Sequence, residues 1–466
     1  METIMRMAQW FEDRTGLIKA IKPIAEHPVP PKTGWWYVFG SATLFAFILQ
    51  VVTGITLAFM YVPSTDGAYQ SLQYITHEAF LGNFLRGLHF FGASAMVVSV
   101  FVHLSRVFLF GSFKFPREVN WLAGVVLIFL TLLMAFSGEI LRWDQNAIWG
   151  LMVGVYMAGR TPFIGTLVGR FLMGGETLGA QTLSRFFAYH VFWVPALLGA
   201  VIGLHLYLVL RNGISEPPGP GRAVHPETYR EEYEELLEKK GVPFWPDAGW
   251  RDAVFGAGLI FLIAILAVVI GPLPLVGPPN PSTIQAVPRP DWEFLWYFAL
   301  LALIPPATEP WVMIGAPLAI IIGMILIPLI GRRGERSPTR RPWAVLAVLI
   351  SVLAFLLLTW EGVLAPWSPR FEAQPLPAEV VNSTDPQVVT GAELFYKRGC
   401  EYCHTISGYG GLRGPDLTYV GSRLNPDGMQ IRILNGGYNM PAFGAILTPD
   451  EVQALVAFLQ SRQVVP

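Results

Sequence analysis

The sequence predicts an all-α polytopic membrane protein with a small all-α domain appended at its C-terminus. Three observations carry this fold class. Hydrophobic residues make up 53% of the 466 positions and charged residues only 14%, a charge fraction lower than a soluble core needs. Seven apolar runs are long enough to cross a bilayer, near residues 34–62, 84–110, 120–141, 184–211, 252–272, 310–331 and 342–361. After the seventh run a proline-rich linker, 362–386, leads into a polar tail, 387–466. The net charge of −1 gives no case for nucleic acid.

Residues 1–33 precede the first run. Within them Ile4, Met7, Phe11, Leu17, Ile18 and Ile21 are set among charges, a pattern that suits an interfacial amphipathic helix and, equally, a plain solubilising leader. The first run carries Gly40 and Gly54, fourteen residues apart. The second carries His89 and His103 at the same spacing, bracketed by Arg86 and Arg106. Fourteen residues of helix rise ~21 Å and fall within about forty degrees of whole turns, so both imidazoles leave nearly the same face, one at each leaflet. The third run repeats the glycine pair as Gly124 and Gly138, and the fourth repeats the histidine pair as His190 and His205.

One polar ring at such depth is most simply a hydrogen-bonded interhelical residue. Two helices that each carry a histidine at both depths are a different matter, because they can hold two stacked irons by paired axial imidazoles. Residues 34–215 are therefore expected to form a four-helix dihaem bundle, with His89 paired to His190 and His103 to His205. The glycines at matching register let flat macrocycles approach the backbone. The fourth-helix spacing is one residue longer, and a kink at Pro195 is the expected way to absorb it.

Residues 216–361 supply three further spans. The stretch HPETYREEYEELLEKKG reads as a solvated charged helix. Arg251 and Asp252 stand at the start of the fifth span, where they serve either as cap and snorkelling cation or at a quinone site. In VPRPDWEFLWYFALL, Asp291 and Glu293 are unusual among so many aromatics. Either is an aromatic-belt acid, or a desolvated carboxylate that accepts a proton from a quinol hydroxyl. Positions two apart do not share a helix face, so only one of them is expected to reach a substrate. The basic loops FKFPRE and RRGERSPTRR fall on the same side, which by the positive-inside rule is the cytoplasm, with the N-terminus. The tail then lies outside.

The tail holds the chain's only cysteines, Cys400 and Cys403, in CEYCH. Two thiols at that spacing followed by His404 form a site for covalent haem with a proximal imidazole, and no further Cys or His follows to complete a zinc site. Met440 is the expected sixth ligand. Met429 is the alternative, beside NPDG in what reads as a polar turn. Pro415 can offer its carbonyl to the His404 ring, and TPDEVQALVAFLQSR reads as a capped amphipathic helix.

Residues 34–361 resemble the cytochrome b of quinol-oxidising bc-type (bc/bf) complexes, and the tail resembles a class I cytochrome c. The four histidines, the four glycines, Arg86, Arg185 in TLSRFFAYH, and Trp143, Asp144 and Gln145 match the family's haem-binding half. GISEPPGP resembles the end of the short cytochrome b of chloroplast-type complexes, and Arg251 with Asp252 the lysine–aspartate pair of the mitochondrial-type inner quinone site. The chain departs from the family in three places. The outer-site Pro-Glu-Trp-Tyr is Pro290, Asp291, Trp292 and Glu293 here. Leu141 and Arg142 precede Trp143 without the family's proline. Val38 stands where chloroplast-type proteins carry a cysteine, so no extra thioether-linked haem is expected.

The resemblance implies a multi-pass subunit of a quinol:cytochrome c oxidoreductase in a bacterial cytoplasmic membrane, coupled to proton translocation. It implies two bis-histidine haems b and one haem c. Quinol, of menaquinol or plastoquinol-like type, would be oxidised near Pro290–Glu293 and the 142–165 loop, and quinone reduced near Arg211, Arg251 and Asp252. Arg86, Arg106 and Arg185 would attend the haems. Expected partners are a separate Rieske-type iron–sulfur protein, an external cytochrome c or other acceptor, lipid, and a second copy of the complex. Two other readings stay open: a dihaem conduit fused to cytochrome c that splits no quinol, and a transporter or scaffold whose intramembrane histidines bind no metal.

Overall fold

The computed structural model describes residues 2–464 apart from 176–177, 280–289, 305–307, 365–373, 412–413, 437–439, 441 and 445. Residues 365–373 of the 362–386 linker thus lie outside the described residues, as do the side chains of Ile4, Ile18 and Ile21. The N-terminal segment is two helices, Glu2–Thr15 and Leu17–Ala25, broken at Gly16 in the left-handed region (φ 61°). Met7, Trp10, Phe11, Leu17 and Ile24 are exposed along them.

Seven described helices are long and apolar enough to cross a membrane. The first four are α1 (Phe39–Ala58), α2 (Gly82–Leu109), α3 (Glu118–Ile140) and α4 (Ala180–Asn212). After α5 (Phe244–Val269) comes a shorter apolar helix, α6 (Trp292–Leu303), and then α7 (Glu309–Ile330) and α8 (Pro342–Leu364). Helix α2 is central: α1 and α5 pack along it, α3 packs on α4, α7 on α3, and α6 on α8. Large apolar side chains such as Val269 and Ile330 stay exposed along the outer helices, as a lipid-facing surface requires.

The bundle's middle is a knot of Ala46, Met96, Leu130, Val194 and Leu198, contributed by α1 to α4. Each of the first three lies midway along its helix between the glycines or histidines of the two levels, so apolar packing separates those levels. The longer spacing on α4 is absorbed by a π-helical turn, Tyr189–Trp193, where the N–H of Val194 reaches the carbonyl of Tyr189. Pro195 begins the α-helix that follows. The expected proline kink is thus corrected to a π-turn around His190 itself, which inserts the extra residue without ending the helix.

At the His103 end, the two basic loops meet. Lys114 Nζ donates to the carbonyls of Gly331 (2.6 Å) and Arg333 (2.5 Å), and Arg336 pairs with Glu216 at 2.6 Å, both almost fully buried. Short antiparallel pairs, Pro28–Val29 with Val242–Pro243 and Ala223–Val224 with Gly334–Glu335, tie the same face. The helix Tyr229–Lys240 is not merely solvated: Tyr229 and Tyr233 are buried, and their hydroxyls donate to Glu216 (2.8 Å) and to the Ile214 carbonyl (2.7 Å). Its charges face water while two tyrosines at i and i+4 anchor the other face.

The tail packs three helices, α9 (Pro386–Lys397), α10 (Pro426–Asn435) and α11 (Pro449–Gln460), around Phe395 and Phe458. Gly391 lets α9 meet α11 closely, since a Cβ there would stand 2.0 Å from the Ala454 carbonyl oxygen. Thr448 and Glu451 form a reciprocal capping box on α11. Met429 is not in a polar turn. Asn425 caps α10 through the Gly428 N–H, and Met429 is 2% exposed in the core.

Candidate functional site

The rings of His89 and His190 lie 6.2 Å apart, centroid to centroid, with their planes at 76°. Those of His103 and His205 lie 6.4 Å apart at 72°. A metal–imidazole bond of about 2.0 Å puts each ring centre roughly 3 Å from the metal, so two imidazoles that share one metal are ~6 Å apart. Each glycine faces one of these rings. A Cβ on Gly54 would come within 3.2 Å of His89, on Gly40 within 3.1 Å of His103, on Gly138 within 2.7 Å of His190, and on Gly124 within 3.7 Å of His205.

Two hydroxyls fix the rings at one level. Thr53 Oγ1 lies 2.9 Å from Nδ1 of His89, and Ser137 Oγ lies 3.0 Å from Nδ1 of His190. Both hydroxyls donate to backbone carbonyls of their own helices, Leu49 and Met134, so each accepts from the imidazole. That leaves Nε2 of each ring as the lone-pair nitrogen, the tautomer a metal ligand needs. Sequence reasoning missed Thr53 and Ser137. Their signal was position, one residue before Gly54 and Gly138 on the helices flanking the histidines.

At the His103 level a cavity of about 570 Å³ is lined by Gly40, Gly124, His103, His205 and Arg106, and it extends to Ser41, Arg251 and Asp252. Ser41 Oγ donates to Asp252 at 2.6 Å, while Arg251 donates to the Asp247 carbonyl at 2.8 Å. Arg106 stacks 3.7 Å over the Tyr37 ring, and its buried Nε has no partner among the described residues. His27 also lines this cavity, and its buried Nε2 has no hydrogen-bond partner among the described residues. Arg211 does not line it; it is exposed and bonded to the Tyr207 hydroxyl at 3.2 Å.

At the His89 level Arg86 is buried and committed to Thr76 Oγ1 (3.1 Å) and the Leu273 carbonyl (2.6 Å). Arg185 is exposed, against Gly174, with a long bond to the Phe171 carbonyl. Beyond Gly138, α3 ends in a knot of charge. Arg142 Nη2 lies 3.3 Å from Glu139 and 3.7 Å from Asp291. Asp291 occupies the N-cap position of α6 in extended backbone without a side-chain cap bond, and Glu293 follows in the first turn, 9% exposed. Burial pushes the Glu293 carboxyl up to about 7, with the Asp291 charge adding and Arg142 opposing. Burial also raises Asp291, against the pull of Arg142.

The turn beneath is pinned. Tyr61 donates to the Leu141 carbonyl (2.8 Å), and the fully buried Asp144 accepts from the N–H groups of Ala147 (2.9 Å) and Val276 (3.3 Å). Trp292 Nε1 reaches Ser94 on α2 at 3.3 Å, and half-buried Pro290 leads into the cap. Glu139 was not singled out from the sequence. It ends an apolar run, where a lone acid reads as a helix terminus.

In the tail, Cys400, His404 and Met440 line one pocket, and Met429 does not. Nδ1 of His404 lies 2.8 Å from the Pro415 carbonyl, which leaves Nε2 for a ligand. Burial lowers the His404 pKa and so favours the neutral ring. Cys403 stands three residues on from Cys400 as the second thiol of the motif.

Fold and site together define a multi-pass helical membrane protein with two stacked imidazole pairs and an appended CxxCH domain. Residues 24–213 match the family model described as cytochrome b/b6/petB, 278–375 that of cytochrome b(C-terminal)/b6/petD, and 386–459 that of cytochrome C oxidase, cbb3-type, subunit III. The chain is 30% identical over 379 residues to the cytochrome b of Rhodobacter capsulatus, covering 76% of this chain and 84% of that protein. It is 31% identical to cytochrome b/c1 of Bradyrhizobium diazoefficiens, over 77% of this chain and 50% of that one. Over 46% of this chain and 98% of the relative, it is 38% identical to the menaquinol:cytochrome c reductase cytochrome b subunit of Bacillus subtilis. A solved structure titled hyperthermophilic respiratory Complex III superposes with a TM-score of 0.66 at 26% identity, covering 77% of this chain and 91% of that one. The chain belongs to the cytochrome b family, with a c-type cytochrome domain at its C-terminal end, and is of the cytochrome b/c1 type found in bc-type complexes. These families imply haem b and haem c.

Proposed function

We propose that this chain is the subunit in which a bc-type complex oxidises quinol at the His89 level and returns electrons to quinone at the His103 level, with its own tail as the c-type electron carrier. The paired histidines would hold two haems b, and Cys400, Cys403, His404 and Met440 one haem c. Bound haem supplies one-electron transfer. The ring separations, the glycines that clear each ring's surroundings and the thiol–imidazole–thioether set all fit such groups.

The observation that carries the reading is adjacency. Gly138 touches His190, and the next residue, Glu139, opens a carboxylate cluster that includes Glu293. A carboxyl held near 7 can take a proton from a quinol hydroxyl and pass it on at neutral pH. Glu293 fits this role better than Asp291, whose carboxylate faces Arg142. At the other level, Asp252 held by Ser41, with Arg251 nearby on the cavity wall, can orient a quinone and deliver protons. Arg106 suits a haem carboxylate, having a buried free donor.

The remaining parts follow the family. A separate Rieske-type protein would take the first electron, the tail would pass it to an external cytochrome c or other acceptor, and two copies of the complex would pair. The basic loops on the His103 face favour a cytoplasmic N-terminus and a periplasmic tail. Charge moving inward then works against the field at ~2.3 kcal/mol per 100 mV, and the quinol chemistry must drive it. The test is quinol-dependent reduction of the c-type haem by the purified complex, with and without Glu293→Gln. Loss in the variant supports quinol oxidation here. An unchanged rate would favour a dihaem conduit without a quinol-splitting site.

A further inference from the structure

The outer-site carboxylates share one cation. Arg142 Nη2 stands between Glu139 (3.3 Å) and Asp291 (3.7 Å), while no ion pair reaches Glu293 among the described residues. Glu139 is 7% and Glu293 9% exposed, so neither charge is dispersed by water. The guanidinium is itself held. It follows a tight end of α3 in which Arg142 N–H reaches the Glu139 carbonyl at 3.2 Å, and the same turn is fixed by Tyr61 and Asp144. Among the described residues the buried Nε of Arg142 has no partner, and the guanidinium's contacts are its two carboxylates.

Three acids and one arginine cannot all be neutralised together. Of the three, Glu139 and Asp291 take the cation, and Glu293 is left to respond to its neighbours. The charged groups facing Glu293 are Asp291, Arg142 and Glu139; those facing Asp291 are Arg142, Asp144 and Glu139; Glu139 in turn faces Arg142 and both of the other acids.

We propose that Arg142 is the positioning residue of the outer site: by bridging Glu139 and Asp291 it withholds Asp291 from proton exchange and sets the pH at which Glu293 becomes a proton acceptor. Glu139 is its counterweight, drawing part of the cation away from Asp291. The inference rests on the quinol-oxidation reading and adds the two residues that tune it. It accounts for an arginine and an acid placed on the α3 end next to a Pro-Asp-Trp-Glu segment, since either charge alone would be buried uncompensated.

The two residues act with opposite sign, and this makes the proposal testable. In the pH dependence of quinol-dependent c-haem reduction by the whole complex, Arg142→Gln removes a cation. It should move the acid limb to higher pH by about one unit. Glu139→Gln removes the acceptor that competes for the guanidinium, leaving more of the cation to Asp291 and Glu293, and should move the limb to lower pH. Arg142→Lys keeps the charge and should bring the limb back toward its original position. A structural role alone would lower the rate at every pH without moving the limb. The proposal is overturned if active Arg142→Gln and Glu139→Gln complexes keep the original limb or shift it in the same direction. Absence of quinol-dependent reduction in the unsubstituted complex would overturn the functional reading and this inference together; an unmoved limb in an active variant overturns this inference alone.

Discussion

Gly138 and His190 meet across α3 and α4 with no room between them for a side chain: a Cβ on Gly138 would stand 2.7 Å from Cε1 of the imidazole. At the other level Gly124 leaves 3.7 Å before His205, ordinary contact distance. The two glycines hold equivalent sequence positions yet differ in what they tolerate.

Gly138→Ala should therefore displace the His190 ring and lower the b-type haem content of the purified protein toward one per chain. Gly124→Ala should retain two. Pyridine haemochrome spectra normalised to protein check both. Full haem in Gly138→Ala would mean that this glycine's space is not needed.

Thr53 and Ser137 accept from the Nδ1 atoms of His89 and His190. Removing such an acceptor weakens the basicity of the opposite nitrogen and typically costs 10- to 100-fold in metal affinity, as a rough expectation. Thr53→Val and Ser137→Ala should raise the reduction potential of one b-type centre and leave the other unchanged. Potentiometric titration resolves the two. A shift in both centres would contradict the assignment of these hydroxyls to one level.

Glu293 must be ionised to accept a proton, and burial raises its pKa from 4.5 to about 7. Quinol oxidation should accordingly fall as pH drops through about 7 and level off above it. Glu293→Gln should reduce the rate by roughly 10²–10⁴-fold, the usual contribution of a positioned base. Stopped-flow reduction of the c-type haem across pH measures both effects.

The two tail methionines separate ligation from packing. Met440→Ala should convert the c-type haem to high spin with little loss of covalent attachment. Met429→Ala should leave the spin state alone and destabilise the core by about 2–5 kcal/mol, because its side chain is 2% exposed among α10's neighbours. Absorption spectra and thermal melts of the holoprotein distinguish the two.

Seven spans were legible because hydropathy needs only composition and length; the boundaries fall within about five residues of the helices except at the start of α5, which lies eight residues before the apolar run. Histidine and glycine spacing was legible for the same reason, since helical rise and turn are fixed. What sequence could not supply was anything set by tertiary approach. Arg142 meets Asp291 across 149 positions of chain, and Thr53 acquires its role only when α1 lies on α2. The π-turn at Tyr189–Trp193 is invisible to a proline-based reading, because one inserted residue leaves no compositional mark. Tyr229 and Tyr233 were masked by the acids and lysines around them, although their i, i+4 spacing was the usable signal. The family resemblance places Arg211 and Arg185 near the cofactors; in the structure both are exposed, Arg211 bonded to the Tyr207 hydroxyl and Arg185 to the Phe171 carbonyl.

The proposed function requires that two imidazole pairs each share one iron. Low-temperature electron paramagnetic resonance of the oxidised complex tests it most directly. Ring planes at 76° and 72° predict two highly anisotropic low-spin ferric signals of bis-imidazole type, in addition to the tail's histidine–methionine signal. Replacing His89 or His190 should remove one of the pair, and replacing His103 or His205 the other. A spectrum without bis-imidazole iron, or one in which His89 and His103 variants lose the same signal, would contradict it.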